Sequence, residues 1–352
     1  MNHSFQNPQN NPSFTDKVWI AGFIITLIVG LILFFIASIH VFILILIGVL
    51  IACYFRGLGR FIQSKTNWSV GLSLIFSVLF TLIFMSGLFY LAGSTAARQF
   101  EELQENFPEI IENANSFFSE TNVGKKFSSY RKSMETSDEV IAEFFKTTFG
   151  GIGDIFIIIV VGIYFTISPK VYRDGVVLLV PPRHRSKAVN LIDKLAAGLT
   201  KWLIGKFFAM GLIFVMTAIA LAIVGLPFWL ALSVIAGLLV FIPNFGPIIS
   251  AIPALLVALS ISGKMALIVG LLYLVIQLTE GSIITPNVQN KLVNIPPALI
   301  ILAQIFAFIL IGVWGLIFAT PIAYIIMILV QELYIKPMEE RAKRENENPY
   351  FE

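Results

Sequence analysis

An isolated carboxylate at the end of an uncharged stretch is the most informative ionisable group in the sequence. Glu280 follows a run from Met265 to Thr279 that contains no Asp, Glu, Lys or Arg. Acidic residues at membrane depth are costly, and they usually face a cavity or a partner. We therefore interpret Glu280 as a binding or coupling group for a proton or a cation. The alternative is a carboxylate that is simply solvated at a helix end, among the lipid headgroups.

Uncharged polar side chains near the same stretch could line a path for a small polar solute. Taken singly, such a side chain more often forms a hydrogen bond between packed helices. Lys206 adds a cation one turn inside a predicted helix, where it either extends its stem towards the interface or serves as a site cation. The uncharged candidates are Gln277, Thr279, Thr285, Asn287, Asn244 and Gln304, with Pro286 interrupting the chain among them.

The elements that must position these groups are two long apolar runs, each interrupted near its centre. The first run, Phe228 to Ser260, has 33 residues without a charged side chain. As one helix it would be about 50 Å long, whereas the hydrocarbon core of a bilayer is about 30 Å thick. Its centre contains Pro243, Gly246 and Pro247. Proline removes a backbone donor and glycine loosens the chain, so we predict two short helices around a turn.

The second run, Ala298 to Gln331, repeats this arrangement 69 positions later, with a break from Gly312 to Gly315 and Pro321 after it. A leading helix precedes each broken pair, at about 200–224 and 264–279. Three membrane elements per unit place the two units in opposite orientations. Inverted repeats with interrupted helices form the substrate sites of many secondary transporters. We therefore expect both breaks to expose backbone carbonyls and amides to a solute; the alternative is that the prolines merely kink two tilted helices.

Composition predicts an all-α, polytopic membrane protein with about eight membrane segments. Of the 352 residues, 57% are apolar and 13% are charged, against about 25% charged in a soluble domain. Cys53 is the single cysteine, so a disulfide within the chain is excluded. We expect no cofactor, no metal and no nucleic acid partner. The sequence contains no phosphate-binding loop and no zinc-protease motif, so neither ATP-driven transport nor a zinc protease is indicated.

The predicted order of segments follows the apolar runs. Residues 93–148 carry six basic and ten acidic side chains, with apolar residues at helical spacing, so we predict an extracytoplasmic amphipathic helical segment with Pro108 near a boundary. It would pack on the membrane domain or on a neighbouring subunit. The remaining segments are a disordered tail (1–15), scaffold helices (16–92), a transmembrane helix with a basic loop (149–194), a transport core (195–333) and a cytoplasmic tail (334–352).

The distribution of basic residues predicts the orientation in the membrane. The loops at 56–69 and 169–206 and the tail at 336–344 hold 15 of the 24 Lys and Arg residues. Cytoplasmic loops carry an excess of these residues. We therefore expect a cytoplasmic (inner) membrane protein with both termini in the cytoplasm.

One enzyme motif is present in part. Gly151-Ile152-Gly153-Asp154 matches the G-x-G-D motif of intramembrane aspartyl proteases. That chemistry requires two carboxylates that share a proton. The preceding span, Val70 to Ala92, contains no Asp or Glu, so the second carboxylate is missing and we do not expect an enzyme.

Three blocks of sequence resemble the autoinducer-2 exporter (AI-2E, permease-like) family of bacterial membrane transporters. They are Phe241–Ile249 with Ile252-Pro253-Ala254, then Glu280 followed by Thr285-Pro286 and Ile295-Pro296-Pro297, then Gly312-Val313-Trp314-Gly315 leading to Ala319-Thr320-Pro321. The resemblance covers roughly residues 15–333. Lys206 stands where the family pattern has Gln. The resemblance implies transport and a homo-oligomer, of which a pentamer is one form.

Together these observations predict a transporter of a small polar solute, such as autoinducer-2, or of a monovalent cation. The resemblance also leaves open a sodium(lithium)/proton antiporter that exchanges these ions across the lipid bilayer. A passive oligomeric channel is an alternative from another class, and the intramembrane protease is the least supported.

Overall fold

The computed structural model describes residues 14–88, 90, 93–118, 152–284 and 296–346. The chain divides into two compact bodies, residues 1–46 and 47–352. Every regular element in these described ranges is helical, which confirms the all-α prediction. Three groups of predicted residues lie outside the described ones. They are residues 1–13 of the predicted N-terminal tail, residues 119–148 of the predicted extracytoplasmic segment, and Thr285, Pro286 and Asn287.

The first half of the chain contains six helices in its described residues. Ser38 lies between the first two helices, and its backbone N–H still donates to the Phe34 carbonyl at 2.9 Å, as it would within a helix. The fifth helix is followed, across Ser168, by a short helix bent from it by 88°. These elements are α1 (Phe14–Ala37), α2 (Ile39–Thr66), α3 (Val70–Leu88), α4 (Ser94–Phe118), α5 (Ile152–Ile167) and α6 (Pro169–Leu178).

The second half of the chain contains the two units of the predicted repeat, which we call the first unit (residues 185–261) and the second unit (residues 263–330). In the first, a helix of 39 residues precedes two shorter ones of 11 and 16 residues. In the second, the three helices have 17, 15 and 18 residues. The elements are α7 (Arg185–Ile223), α8 (Trp229–Leu239), α9 (Gly246–Ile261), α10 (Gly263–Thr279), α11 (Pro297–Ile311), α12 (Val313–Val330) and α13 (Lys336–Asn346). Single π-turns follow α10 and α12, at Glu280–Ile284 and Gln331–Ile335.

Among the described helices, four are long and apolar enough to cross a membrane, and a fifth span results if α5 and α6 count as one bent pair. α8 has 11 residues and α9 has 16. A spanning helix needs about 20 residues, so by length neither α8 nor α9 crosses the hydrocarbon core alone. The broken pair is therefore a helical hairpin of two short arms.

The second break is narrower than the sequence predicted. We expected an interruption over Gly312–Gly315, but Gly312 alone separates α11 from α12, and Gly315 already lies inside α12. Gly312 has φ 63° and ψ −143°, which is a conformation that side-chain-bearing residues rarely adopt. Pro321 also lies inside α12. The backbone change is thus concentrated at one glycine.

Corresponding glycines allow both helical hairpins to close. A Cβ on Gly246 would collide with the backbone carbonyl of Leu239 across the first hairpin. A Cβ on Gly315 would collide with the carbonyl of Ala307 across the second. Because the obstacle is backbone in both cases, a side-chain rotation could not relieve it. These two glycines align in the 69-residue repeat, so the repeated feature is the close approach of two helix ends.

Side chains of the first unit also contact the last helices. Gly198 on α7 leaves space for the ring of Tyr324 on α12, and a Cβ at that glycine would meet the tyrosine hydroxyl. One turn earlier on α7, Lys194 donates to the Glu332 carboxylate at 2.6 Å. Lys336 donates to the same carboxylate oxygen at 2.7 Å. The long helix is therefore tied to the end of the second broken pair.

The amphipathic helix α4 packs on the first hairpin. Leu103 and Ile110 on α4 are buried in one apolar cluster with Leu232 of α8 and Val257 of α9. Docking on the membrane helices was the first of the two uses that we predicted for this face. Pro108 lies inside α4 and not at its boundary, so that part of the prediction was wrong.

A glutamine of α4 also caps the first hairpin. The Oε1 atom of Gln99 accepts hydrogen bonds from the backbone N–H groups of Leu230 and Ala231, at 3.0 and 3.2 Å. The first N–H groups of a helix have no partner within it. Gln99 therefore supplies, from a distant part of the chain, the cap that α8 lacks locally.

We expect Gly246→Ala and Gly315→Ala each to destabilise the protein by about 1–3 kcal/mol, because the added methyl group forces the hairpin arms apart. The matched control is Gly211→Ala on α7, where a Cβ would meet no atom within 4 Å. That change should be neutral or stabilise by up to about 1 kcal/mol through helix propensity. Thermal unfolding of the detergent-solubilised protein measures all three. Equal stability of the three variants would contradict the close approach of the hairpin arms.

We expect Gln99→Ala to lower stability by about 0.5–2 kcal/mol, the usual cost of losing a helix cap. Gln104→Ala, at an exposed position on the same helix, is the control and should change little. Hydrogen exchange followed by mass spectrometry should show faster exchange at the start of α8 in Gln99→Ala alone. Unchanged exchange there would show that the cap does not hold the hairpin.

Candidate functional site

The unwound segment between α8 and α9 is held by a side chain from the second unit. The Nε2 atom of Gln304, on α11, donates to the carbonyl of Pro243 at 2.7 Å. The Nδ2 atom of Asn244 donates to Oε1 of the same Gln304 at 3.3 Å. Gln304 is fully buried, so its amide uses both ends on this one segment. The first break and the second broken pair therefore meet at one amide.

Local sequence explains why the chain unwinds at this place. Pro243 has no backbone N–H, so the helical ladder of α8 cannot continue through it. Asn244 has φ 65°, in the left-handed region that asparagine tolerates better than most residues. Pro247 sits at the start of α9, where its missing N–H costs nothing. These residues end one helix and begin the next within a few positions.

The carbonyl end of α8 binds a buried lysine. The Nζ atom of Lys206, on α7, donates to the carbonyl of Val240 at 3.0 Å. Lys206 is 4% exposed. Its ammonium is thus enclosed by protein, which contradicts the interpretation that it snorkels towards the interface. The last carbonyls of a helix lack partners within it and carry partial negative charge, so a cation is favourable here.

Glu280 lies at the end of α10, where the π-turn begins. It is partly buried, and the π-turn contacts α7. The charges of Glu280 and Lys206 interact. A carboxylate of the second unit therefore interacts electrostatically with the ammonium of the first unit that binds the carbonyl end of α8.

The remaining predicted residues are placed less centrally. Gln277 is exposed on α10. Thr279 donates its hydroxyl to the carbonyl of Val275 in its own helix, at 2.8 Å. Gly312 forms the junction of α11 and α12. Thr279 therefore forms a hydrogen bond within its helix, as the structural alternative for these polar residues predicts. For Gln277, the described contacts show no partner outside its helix.

Sequence reasoning missed two contributors. The Val240 carbonyl belongs to the backbone, so no residue type marks it in the sequence. Gln99 lies 131 positions from Leu230, the residue that it caps. It sits on a helix whose pattern indicates only an amphipathic face. Neither position carries a local signal that connects it with the hairpin.

A family model described as AI-2E family transporter matches residues 23–335. The chain belongs to the AI-2E transporter family. All three groups of the site (Lys206 with Val240, Gln304 with Pro243 and Asn244, and Glu280) lie within the matched residues.

Curated relatives of this AI-2E family chain carry names that refer to transport. Bacillus subtilis (strain 168) “Putative transport protein YrrI” is 29% identical over 167 residues, which is 47% of each chain. “Putative transport protein YueF” of the same organism is 30% identical over 148 residues, 42% of this chain and 40% of the relative. Escherichia coli (strain K12) “Putative transport protein YhhT” is 27% identical over 114 residues, 32% of this chain and 33% of the relative. The aligned stretches span less than half of each relative's length.

We expect Gln304→Leu to destabilise this AI-2E family chain by about 1–3 kcal/mol. The substitution replaces the amide by an apolar side chain of similar size. The buried unwound segment then loses both of its hydrogen bonds to α11. Gln331→Leu, at an exposed position, is the control. Thermal unfolding in detergent measures the difference between the two variants. If both unfold at the wild-type temperature, the contact of Gln304 with Pro243 does not hold the two units together.

Proposed function

We propose that the chain is a multi-pass transporter of the bacterial inner membrane that moves a small polar solute, such as autoinducer-2, or a monovalent cation, by alternating access. The observation that carries this proposal is the unwound segment between α8 and α9, bound by Lys206 on one side and Gln304 on the other. Irregular backbone at membrane depth is tolerated only where protein or a water-filled cavity satisfies it. Secondary transporters use such interruptions to bind solutes.

Glu280 would be the coupling or binding carboxylate of this transporter. It is the ionisable side chain of the second unit that interacts with Lys206 in the first. Binding of a proton or a cation at Glu280 would change the electric field at Lys206 and at the carbonyl end of α8. The two units would then respond together to one binding event, which alternating access requires.

A second candidate is antiport of sodium or lithium against protons. The observation that favours it is the interaction of an acidic and a basic side chain inside a largely apolar unit. A carboxylate in this setting can exchange a proton for an alkali cation.

The basic loops support the further proposal that both termini lie in the cytoplasm.

We expect Glu280→Gln to abolish a cation-evoked pH change in proteoliposomes. The lumen contains a pH-sensitive dye, and sodium, lithium or potassium chloride is added outside. Glu339→Gln, at an exposed position on α13, is the matched control and should behave as wild type. The signal of Glu280→Gln should fall to that of protein-free liposomes.

A wild-type rate in Glu280→Gln would remove Glu280 from the path. If neither protein responds to any cation, the same proteoliposomes are tested for uptake of labelled autoinducer-2. Flux of that solute would support the solute transporter and contradict the antiporter. Ion conductance that no gradient drives would support a passive channel and contradict alternating access.

A further inference from the structure

Lys206 occupies an unusual place for a charged side chain. It is 4% exposed, and its Nζ atom donates to one backbone carbonyl, that of Val240. An ammonium has three donors and is costly to remove from water. In the described parts of the chain, its partners are this carbonyl and, at longer range, the charge of Glu280.

The surroundings of the ammonium share two features with alkali-cation sites, a carbonyl at a helix end and the charge of a carboxylate. Val240 is the residue at which α8 ends, so its carbonyl lies at the negative end of the helix. The chain then unwinds through Pro243, which cannot continue the ladder of hydrogen bonds. Unwound carbonyls and the C-terminal ends of half-helices coordinate Na⁺ in transporters. A carboxylate nearby would complete the charge balance.

We propose that Lys206 is a tethered cation, whose ammonium fills a monovalent-cation site formed by the carbonyl end of α8 and the Glu280 carboxylate. The chain then needs no bound Na⁺ or Li⁺ at this position, because its own side chain supplies the charge. Replacing the lysine by a neutral residue frees the site for an alkali cation. This inference rests on the proposed function only for the role of Glu280, and it concerns binding, not transport.

A purely structural role for Lys206 makes a different prediction. If the lysine only ties α7 to the end of α8, its removal lowers stability equally in every salt. If it is a tethered cation, a small alkali cation replaces part of what was lost. The response to Na⁺ and Li⁺ therefore separates the two roles, whereas the loss of stability does not.

The experiment measures thermal unfolding of the full chain in detergent, in sodium, lithium, potassium or choline chloride at constant ionic strength. We expect Lys206→Gln to gain a melting-temperature rise of about 2–4 °C in Na⁺ or Li⁺ relative to choline, once the cation is at roughly tenfold its Kd. Wild type should show no such difference. Lys201→Gln, an exposed lysine on the same helix, is the matched control.

Binding of radioactive sodium to the purified protein gives an independent readout. Lys206→Gln should bind sodium above the wild-type level, unlabelled lithium should compete, and the double variant Lys206→Gln/Glu280→Gln should lose the binding. Lys206→Ala serves as a second variant if Lys206→Gln does not fold. Equal sodium binding by wild type and the folded variant, or none by either, would overturn the proposal. Because the binding experiment involves no gradient, its result does not depend on whether the protein transports a solute. A failure to bind sodium would likewise leave the proposed transport function untouched.

Discussion

Backbone polar groups that leave a helix inside an apolar layer must find partners in the protein. This constraint governs the centre of the chain, where α8 ends after 11 residues and α9 begins only after six more. An unsatisfied carbonyl or amide there would cost several kcal/mol, roughly the size of a whole domain's stability margin. Turns of the backbone itself bond some of these groups, and two side chains bond others. The Lys206 ammonium donates to the Val240 carbonyl, and the Gln304 amide donates to the Pro243 carbonyl. The helices that carry them are fixed in place by the same contacts.

The two broken pairs satisfy this constraint differently. The first has a wide interruption whose carbonyls accept bonds from side chains of α7 and α11. The second changes direction at Gly312 alone and needs only a glycine conformation. Both nevertheless close through a glycine that faces a carbonyl of the opposite arm. The repeat therefore preserves the hairpin geometry and not the way in which its tip is stabilised.

Much of this fold was predictable because proline, glycine and charge leave clear marks on an apolar sequence. The helix ends at 239 and 246 follow from Pro243, Gly246 and Pro247, and the 69-residue spacing predicted the second pair. The extent of the second break was not predictable, since Val313, Trp314 and Gly315 can either extend a turn or begin a helix. In the structure Gly312 alone has the turn conformation, and the helix begins at Val313.

Within the candidate site, residue type indicated which side chains were unusual but not what they contact. Lys206 was recognisable as a cation in a helix, yet its burial depends on α8 ending beside it. Gln304 was one of several polar residues in apolar runs. By sequence alone, Gln277 was an equally good candidate for a site residue. Only the arrangement of helices separates the buried glutamine from the exposed one. Backbone ligands such as the Val240 carbonyl leave no trace in the pattern at all.

The contacts at the first hairpin also constrain the order in which the chain can be assembled during synthesis. Gln99 and Lys206 emerge from the ribosome before the unwound segment, whereas Gln304 emerges 61 residues after Pro243. The Pro243 carbonyl therefore lacks its Gln304 partner until α11 has been made. Helices α4 and α7 supply the earlier contacts, and α11, made later, completes the centre.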